Sequence, residues 1–313
     1  MKIVFLGTPD FAVQSLDALH SKGYEIVGVV TMPDKKSGRG RKLTPSAVKQ
    51  YALDKGLNIL QPTNLKEDSF VEKLRELNAD LQVVVAFRML PEVVWNMPPL
   101  GTINVHASLL PNYRGAAPIN WAIINGEHET GITTFQLQHK IDTGNILKQK
   151  RIAIAPEDDA GTLHDKLMEL GAATLVQTVE AIADQNIEPK PQTFVSEEAL
   201  KEAPKIYKST CYIQWDQPTS VVKDFIRGLS PYPAAIGSFI LSNGENVDVK
   251  VLKVEKSEEK LRPNEVKQTD SALFVGTEDG SLKLIEIQYP GKRKMNAVDF
   301  LRGFKNQFEK IKA

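Results

Sequence analysis

Cysteine is almost absent: Cys211 stands alone among 313 residues, so no intramolecular disulfide can form. Charge of one sign is absent too, because 39 Lys+Arg face 39 Asp+Glu. That balance excludes a cationic coat and leaves any nucleic-acid contact to local basic patches. No apolar run approaches the ~20 residues that cross a bilayer. The chain also passes from Met1-Lys2 directly into an apolar strand, without a charged-then-apolar leader. Together these absences predict a reducing, cytoplasmic setting without membrane contact, and nothing implies a stable protein partner. The histidines (His20, His106, His128, His139 and His164) have neither the spacing nor the cysteine partners of a zinc site, so no metal is expected. Internal repeats and low-complexity tracts are lacking as well.

What the chain does have is alternation. Short apolar runs at residues 3–6, 26–30, 81–86 and 101–105 are separated by amphipathic stretches. This is the pattern of parallel strands joined by helices, hence an α/β, Rossmann-like N-terminal domain. Thr8 before Pro9 and Thr44 before Pro45 read as helix starts, with Gly56 as a stop. Two further strands at 132–138 and 146–154 flank the turn Asp142-Thr143-Gly144, and a long helix is expected over 160–183. Periodicity fails between Pro189 and Lys208, where prolines are scattered among charges. The expected organisation is a catalytic domain over 1–189, a linker over 190–208 and a small β-rich, OB-like domain over 209–313. That last domain should contain a helix at 220–229, strands at 235–241, 247–254, 272–275 and 281–288, and a terminal helix over 296–310.

Polar chemistry is concentrated in one place, directly after a buried strand: Asn104-Val105-His106-Ala107-Ser108. Ligands bind at the carboxyl ends of strands in open parallel sheets. Asn104 and His106 are two apart and share a strand face. An amide there can donate to a developing oxyanion, and an imidazole can move a proton or carry charge. Asp142 is the candidate carboxylate for the ring. On spacing alone an Asn-x-His at a strand end is more often a hydrogen-bonded structural pair than a catalytic one, and Asp142 serves equally as a turn aspartate. Gly7-Thr8-Pro9-Asp10 offers a single glycine before a helix rather than G-x-G-x-x-G, which excludes a nicotinamide dinucleotide fold function. It can receive an anion at a helix start or serve as a plain turn.

The run from Asn104 through His106, Ser108, Leu109, Leu110, Pro111 and Arg114 to Pro118, together with Asp142-Thr143-Gly144, resembles the signature of the folate-dependent formyltransferases. Similarity extends from Gly7-Thr8-Pro9-Asp10-Phe11 to Pro290-Gly291-Lys292-Arg293-Lys294-Met295. The resemblance implies that 10-formyltetrahydrofolate donates the formyl group and that Asn104, His106 and Asp142 are catalytic. Asn104 and protonated His106 would hold the tetrahedral oxyanion while Asp142 fixes the ring. It also implies a folate site along Ser108, Leu109, Leu110 and Pro111 and along Phe87, Arg88, Met89 and Leu90. At 86–91 the chain reads Ala-Phe-Arg-Met-Leu-Pro, one residue shorter than the family's Ala-Tyr-Gly-x-Ile-Leu-Pro run and without its glycine.

Within that family the acceptor is an aminoacyl-tRNA, a nucleotide or an amino sugar, and basic segments separate them. Residues 34–42 carry five cations (Lys35, Lys36, Arg39, Arg41, Lys42) against Asp34, with Gly38 and Gly40 between. By resemblance this is a tRNA-contacting loop with Arg39 at the acceptor end, which points to initiator methionyl-tRNA as partner. Lys205, Lys208, Lys292, Arg293 and Lys294 are candidate phosphate contacts, whereas Trp215 and Tyr232 read as packing residues. The competing readings are an amino-sugar nucleotide formyltransferase and a non-catalytic folate- or RNA-binding protein.

Overall fold

The computed structural model describes residues 1–37, 42–194, 196–304 and 306–312. Contacts divide the chain into two compact units. The first comprises Met1–Gly115, Thr130–Ile152 and His164–Glu202, and the second Ala116–Glu129, Ala153–Leu163 and Ala203–Ala313.

The first stretch of chain runs β1 (Lys2–Gly7), α1 (Asp10–Ser21), β2 (Glu25–Val30), β3 (Lys35–Ser37), β4 (Lys42–Thr44), α2 (Ala47–Asp54), β5 (Ile59–Leu60), α3 (Asp68–Glu76), β6 (Leu81–Val85), α4 (Glu92–Trp95) and β7 (Thr102–His106). There follow β8 (Arg114–Gly115), α5 (Pro118–Ile124), β9 (Glu129–Gln136), β10 (Ile146–Ala153) and α6 (Ala160–Ala183). A seven-stranded sheet has the order β10-β9-β7-β6-β1-β2-β5. Its centre is parallel, and β9 turns antiparallel against β7. Each of the four strands expected in the first 105 residues is present within one residue at either end. Strands β1 and β6 are buried on both faces, which accounts for their unbroken apolar runs.

Two helix starts differ from the sequence expectation. Pro9, not Thr8, is the N-cap of α1, and the Thr8 hydroxyl is buried without a hydrogen bond. Ser46, not Thr44, caps α2 and accepts from the Lys49 N–H at 3.0 Å. Proline favours the first helical position because its missing N–H would be unpaired there, but here it stands one place earlier, as a cap without a side-chain hydrogen bond.

Beyond α6 the chain continues through β11 (Glu202–Ala203), α7 (Thr219–Leu229), β12 (Ala235–Leu241), β13 (Asn246–Ser257), β14 (Val266–Thr269), β15 (Ala272–Gly276), β16 (Ser281–Gln288), β17 (Met295–Asn296), α8 (Ala297–Arg302) and β18 (Phe308–Ile311). The antiparallel path β14-β15-β16-β13-β12-β18 nearly closes on itself. An antiparallel bridge between Glu265 and Lys310, and a 2.9 Å bond from the Phe308 N–H to Gln268 Oε1, draw its ends together. This is the barrel-like second domain expected, with β14 as an unforeseen strand. Trp215, Phe239, Leu273, Leu284 and Cys211 are buried in its core, and the Cys211 thiol donates to the Tyr207 carbonyl.

The terminal helix expected over 296–310 is corrected. Asn296 does cap a helix, accepting from the Val298 N–H at 2.9 Å, but that helix ends at Arg302. Residues Phe308–Ile311 form a strand against β12. The helical spacing of Phe300, Phe304 and Phe308 instead serves an aromatic cluster with Tyr289, with ring centroids 4.7–5.5 Å apart along it.

Candidate active site

The site lies at the carboxyl end of β7 in the first unit. Alternation puts Asn104 and His106 on one strand face, as expected. His106 is buried; its Nε2 donates to the Tyr113 carbonyl at 2.8 Å, and its edge meets Phe135. A carbonyl only accepts, so this bond fixes a proton on Nε2 and leaves Nδ1 as the position that changes. Nδ1 stands 3.9 Å from Asp142 Oδ2, an ion pair when the ring is protonated. The same Oδ2 accepts the Gly115 N–H at 3.0 Å. The Asn104 amide is half-buried and makes no hydrogen bond to the other described residues, which leaves both its N–H groups for a ligand.

The turn that carries Asp142 is built by close approach. A Cβ at Gly144 would lie 1.6 Å from the Gln136 carbonyl oxygen, so only glycine permits the crossing. Asp142 is in the left-handed region at φ 52, as are Tyr113 at φ 62 and Ala86 at φ 48. Asp142 and Tyr113, both in contact with His106, thus have left-handed backbone, and Ala86 has it just past the end of β6, the strand paired with β7.

Behind β7 the 107–112 loop is cross-braced. Thr133 Oγ1 donates to the Ser108 carbonyl at 2.7 Å and accepts from the Leu110 N–H and from Gln149 Nε2. Ser108 is fully buried, with its hydroxyl donated to the Asn112 carbonyl at 2.8 Å, and Leu110 is buried beside it. Leu109 and Pro111 remain half-exposed. In the 86–91 segment Leu90 is buried, Phe87 and Arg88 are half-buried, and Met89 is 75% exposed. The Arg88 guanidinium turns back to the Pro62 and Thr63 carbonyls, and desolvation lowers its pKa from the ordinary value. Beside the Asp142 turn a cleft of about 250 Å3 is lined by Trp95, Gln138, His139, Lys140 and Thr143, with Trp95 edge-on to His139. Reading the sequence did not single out these five for the site, nor the Tyr113 carbonyl and Gly115 N–H. Backbone groups carry no residue signature.

Of the basic residues, Lys35 is exposed at the root of the β3–β4 hairpin. Lys36 pairs with Leu43 and Lys42 with Ser37 through backbone in that hairpin, and Arg39 and Arg41 lie outside the described residues. The root is held by Asp34, which accepts from Lys49 Nζ at 2.7 Å and from Gln61 Nε2 at 2.9 Å. In the second unit Lys205, Lys208, Lys292, Arg293 and Lys294 are all exposed. Lys205 lies over the Tyr207 ring, and Lys294 is 3.4 Å from Glu286. No cluster of metal-binding side chains occurs among the described residues, nor is any helix there long and apolar enough to cross a membrane.

A parallel α/β sheet with Asn, His and Asp gathered at one strand end, followed by a small barrel, defines a group-transfer enzyme of the formyltransferase type. The chain belongs to the formyl transferase family: the family's formyl transferase model matches residues 1–179, and its C-terminal domain model matches residues 205–305. It is 54% identical over 312 residues to the methionyl-tRNA formyltransferase of Parabacteroides distasonis, covering 97% of this chain and 96% of that one. The protein of the same name from Flavobacterium johnsoniae is 47% identical over 305 residues, again covering 97% and 96%. Among solved structures, an N-formyltransferase from Helicobacter canadensis, in complex with folinic acid and dTDP-3-aminofucose, has TM-score 0.69 at 19% identity, over 94% of this chain and all of that one. HypX from Aquifex aeolicus has TM-score 0.67 at 19% identity, covering 97% of this chain and 49% of its own. At such identities these two likenesses concern the fold.

Proposed function

We propose that this chain transfers the formyl group of 10-formyltetrahydrofolate to the free α-amino group of initiator methionyl-tRNA, giving N-formylmethionyl-tRNA for translation initiation. The observation that carries the reading is the 54% identity along 97% of the chain to a methionyl-tRNA formyltransferase. The Asn104, His106 and Asp142 set at one strand end supports the same chemistry. We place the enzyme in the cytoplasm.

A folate fits the residues present. The cleft beside Asp142 combines the Trp95 ring with the polar side chains of Gln138, Lys140 and Thr143, the mix that a flat heterocycle with an amide-like edge needs. Phe87, Arg88, Met89 and Leu90, with Ser108, Leu109, Leu110 and Pro111, are the proposed remaining lining. Ser108 would act by shaping the wall, because its hydroxyl is already committed inside the protein, whereas Arg88 commits Nη1 and Nη2 to the Thr63 and Pro62 carbonyls and keeps a buried Nε without a partner. When bound, the cosubstrate supplies a formyl carbon activated on nitrogen.

The chain's own residues do the rest. The uncommitted Asn104 amide donates to the carbonyl oxygen as negative charge builds there. His106 holds its Nε2 proton on Tyr113, so in place of the oxyanion contact implied by the resemblance, Nδ1 takes the proton shed by the incoming amine and gives it up to the folate nitrogen as the bond from that nitrogen to the formyl carbon breaks. The imidazolium so formed faces the Asp142 carboxylate 3.9 Å away. The tRNA is proposed to meet Lys35, Lys36, Arg39, Arg41 and Lys42, and in the 209–313 domain Lys292, Arg293 and Lys294, with Lys205 and Lys208 in the 190–208 linker. The test is to combine the pure protein with charged initiator tRNA and 10-formyltetrahydrofolate and assay formylmethionine. Formylation of an amino-sugar nucleotide in place of the tRNA would overturn the assignment of acceptor.

A further inference from the structure

Four residues of the Asp142 turn, Gln138 to Ile141, are exposed, and the side-chain contacts of His139 with Trp95 and Glu92 stop short of Asp142, so they do not by themselves fix where the carboxylate stands. Asp142 itself has the left-handed φ of 52, a region less favourable to an L-residue than the right-handed one, so contacts that hold the turn add to its definition. The restraint comes from far along the chain. Gln192 Nε2 donates to the Asp142 carbonyl at 2.8 Å and to the Gly144 carbonyl at 2.9 Å. Its Oε1 accepts from Arg114 Nε at 3.2 Å and Nη2 at 2.6 Å. Every hydrogen-bonding direction of this one amide is therefore spent on either side of the pair formed by the Gly115 N–H and the Asp142 carboxylate. The segment carrying Gln192 is itself pinned, because Lys190 exchanges two backbone bonds with Ile146, of 2.7 and 2.8 Å.

We propose that Gln192 is a positioning residue for the reaction: it clamps the Asp142 turn to Arg114 so that the carboxylate stands opposite His106 Nδ1. The inference rests on the formyl-transfer reading, yet the clamp is measurable without turnover. It assigns a role to a segment that the sequence presents only as a proline-broken connector. The amide, rather than any group of that size, is required, since it must donate twice on one side and accept on the other.

Two variants separate the halves of the clamp. Gln192→Glu keeps an acceptor for Arg114 but loses both N–H donors and sets a carboxylate against two carbonyls. Gln192→Met loses everything at similar length. For both, kcat is expected to fall at least ~10-fold, the scale of two lost hydrogen bonds. KM for each substrate should stay within about twofold. In parallel, the Gly115 amide, donated to Asp142 Oδ2, should exchange its hydrogen at least ~10-fold faster by NMR in both variants, whereas the Leu110 amide, held by Thr133, keeps its wild-type rate. Wild-type Gly115 exchange in both folded variants overturns the proposal. So does a fall in melting temperature with kcat unchanged, which makes Gln192 merely structural. If Gln192→Glu alone matches wild type, the donors to the turn are irrelevant and the proposal fails. A wild-type protein that does not formylate, but whose Gly115 protection depends on Gln192, would refute the functional reading and leave the clamp standing.

Discussion

The His106 ring commits one nitrogen to the Tyr113 carbonyl and turns the other toward Asp142. His106→Ala removes both the proton carrier and the charge, so the single-turnover formylation rate should drop at least ~100-fold with folate affinity little changed. A near-wild-type rate in the folded variant would sink the mechanism. Asp142→Asn tests charge against shape. Its side-chain oxygen can still accept the Gly115 N–H, so the turn should persist while the rate falls by ~10-fold or more, measured by single turnover alongside Gly115 exchange. At this scale the sequence was informative about side chains: His106 and Asp142 approach to 3.9 Å, and Asn104 is on the same strand as His106. It was silent where backbone acts, on Tyr113 and Gly115, and on Gln192, whose amide is 50 residues from Asp142 along the chain.

Elements were legible wherever hydrophobic period and local chemistry agreed. Helix α6 and strands β12 and β16 have the bounds that periodicity gives. The misreading of β18 as helix arose because Phe300, Phe304 and Phe308 share a helical interval while packing as one aromatic cluster that joins a helix to a strand. Strand β14, with the alternating exposure of an edge, carries too weak an apolar signal to stand out from a loop. Two elements near the site invite tests. Gly144→Ala would force a methyl into the Gln136 carbonyl. We expect a loss of about 1–3 kcal/mol in denaturant unfolding together with loss of activity; an unaffected variant would show that the turn is not fixed by this crossing. At the root of the β3–β4 hairpin the Asp34 carboxyl is held below its ordinary pKa, first by the Gln61 hydrogen bond and then by Lys49. A depressed folded pKa means that the anchoring is present above the unfolded pKa and is lost as pH falls through the folded value. The protection factors of the β3–β4 amides, exchange rates corrected for the intrinsic dependence on pH, should therefore be constant around neutrality and fall only in acid, and Asp34→Asn should remove that acid dependence.

Across the whole molecule charge sums to zero, so affinity for a polyanion must come from individual exposed cations and respond steeply to salt. Arg39→Ala, chosen on the sequence pattern, should raise the tRNA concentration needed and lower turnover with folate binding intact. Lys292→Ala and Arg293→Ala should each reduce the salt slope of tRNA binding by about one phosphate contact. Lys294 already faces Glu286 at 3.4 Å, so Lys294→Ala should change the slope less than its neighbours do. A salt series of binding constants for the three variants checks this order, and equal slopes would remove the segment from the tRNA surface.

The buried thiol of Cys211 has a use unconnected with formyl transfer. It is 1% exposed, donates to the Tyr207 carbonyl, and burial pushes its pKa up, with Lys250 opposing weakly. A thiol that is both inaccessible and reluctant to ionise is inert toward alkylating reagents. As the chain's only sulfhydryl, it makes the rate of labelling by such a reagent a clock for transient opening of the barrel core. The same silence lets a single cysteine introduced on any exposed surface carry a fluorophore without background from the native chain.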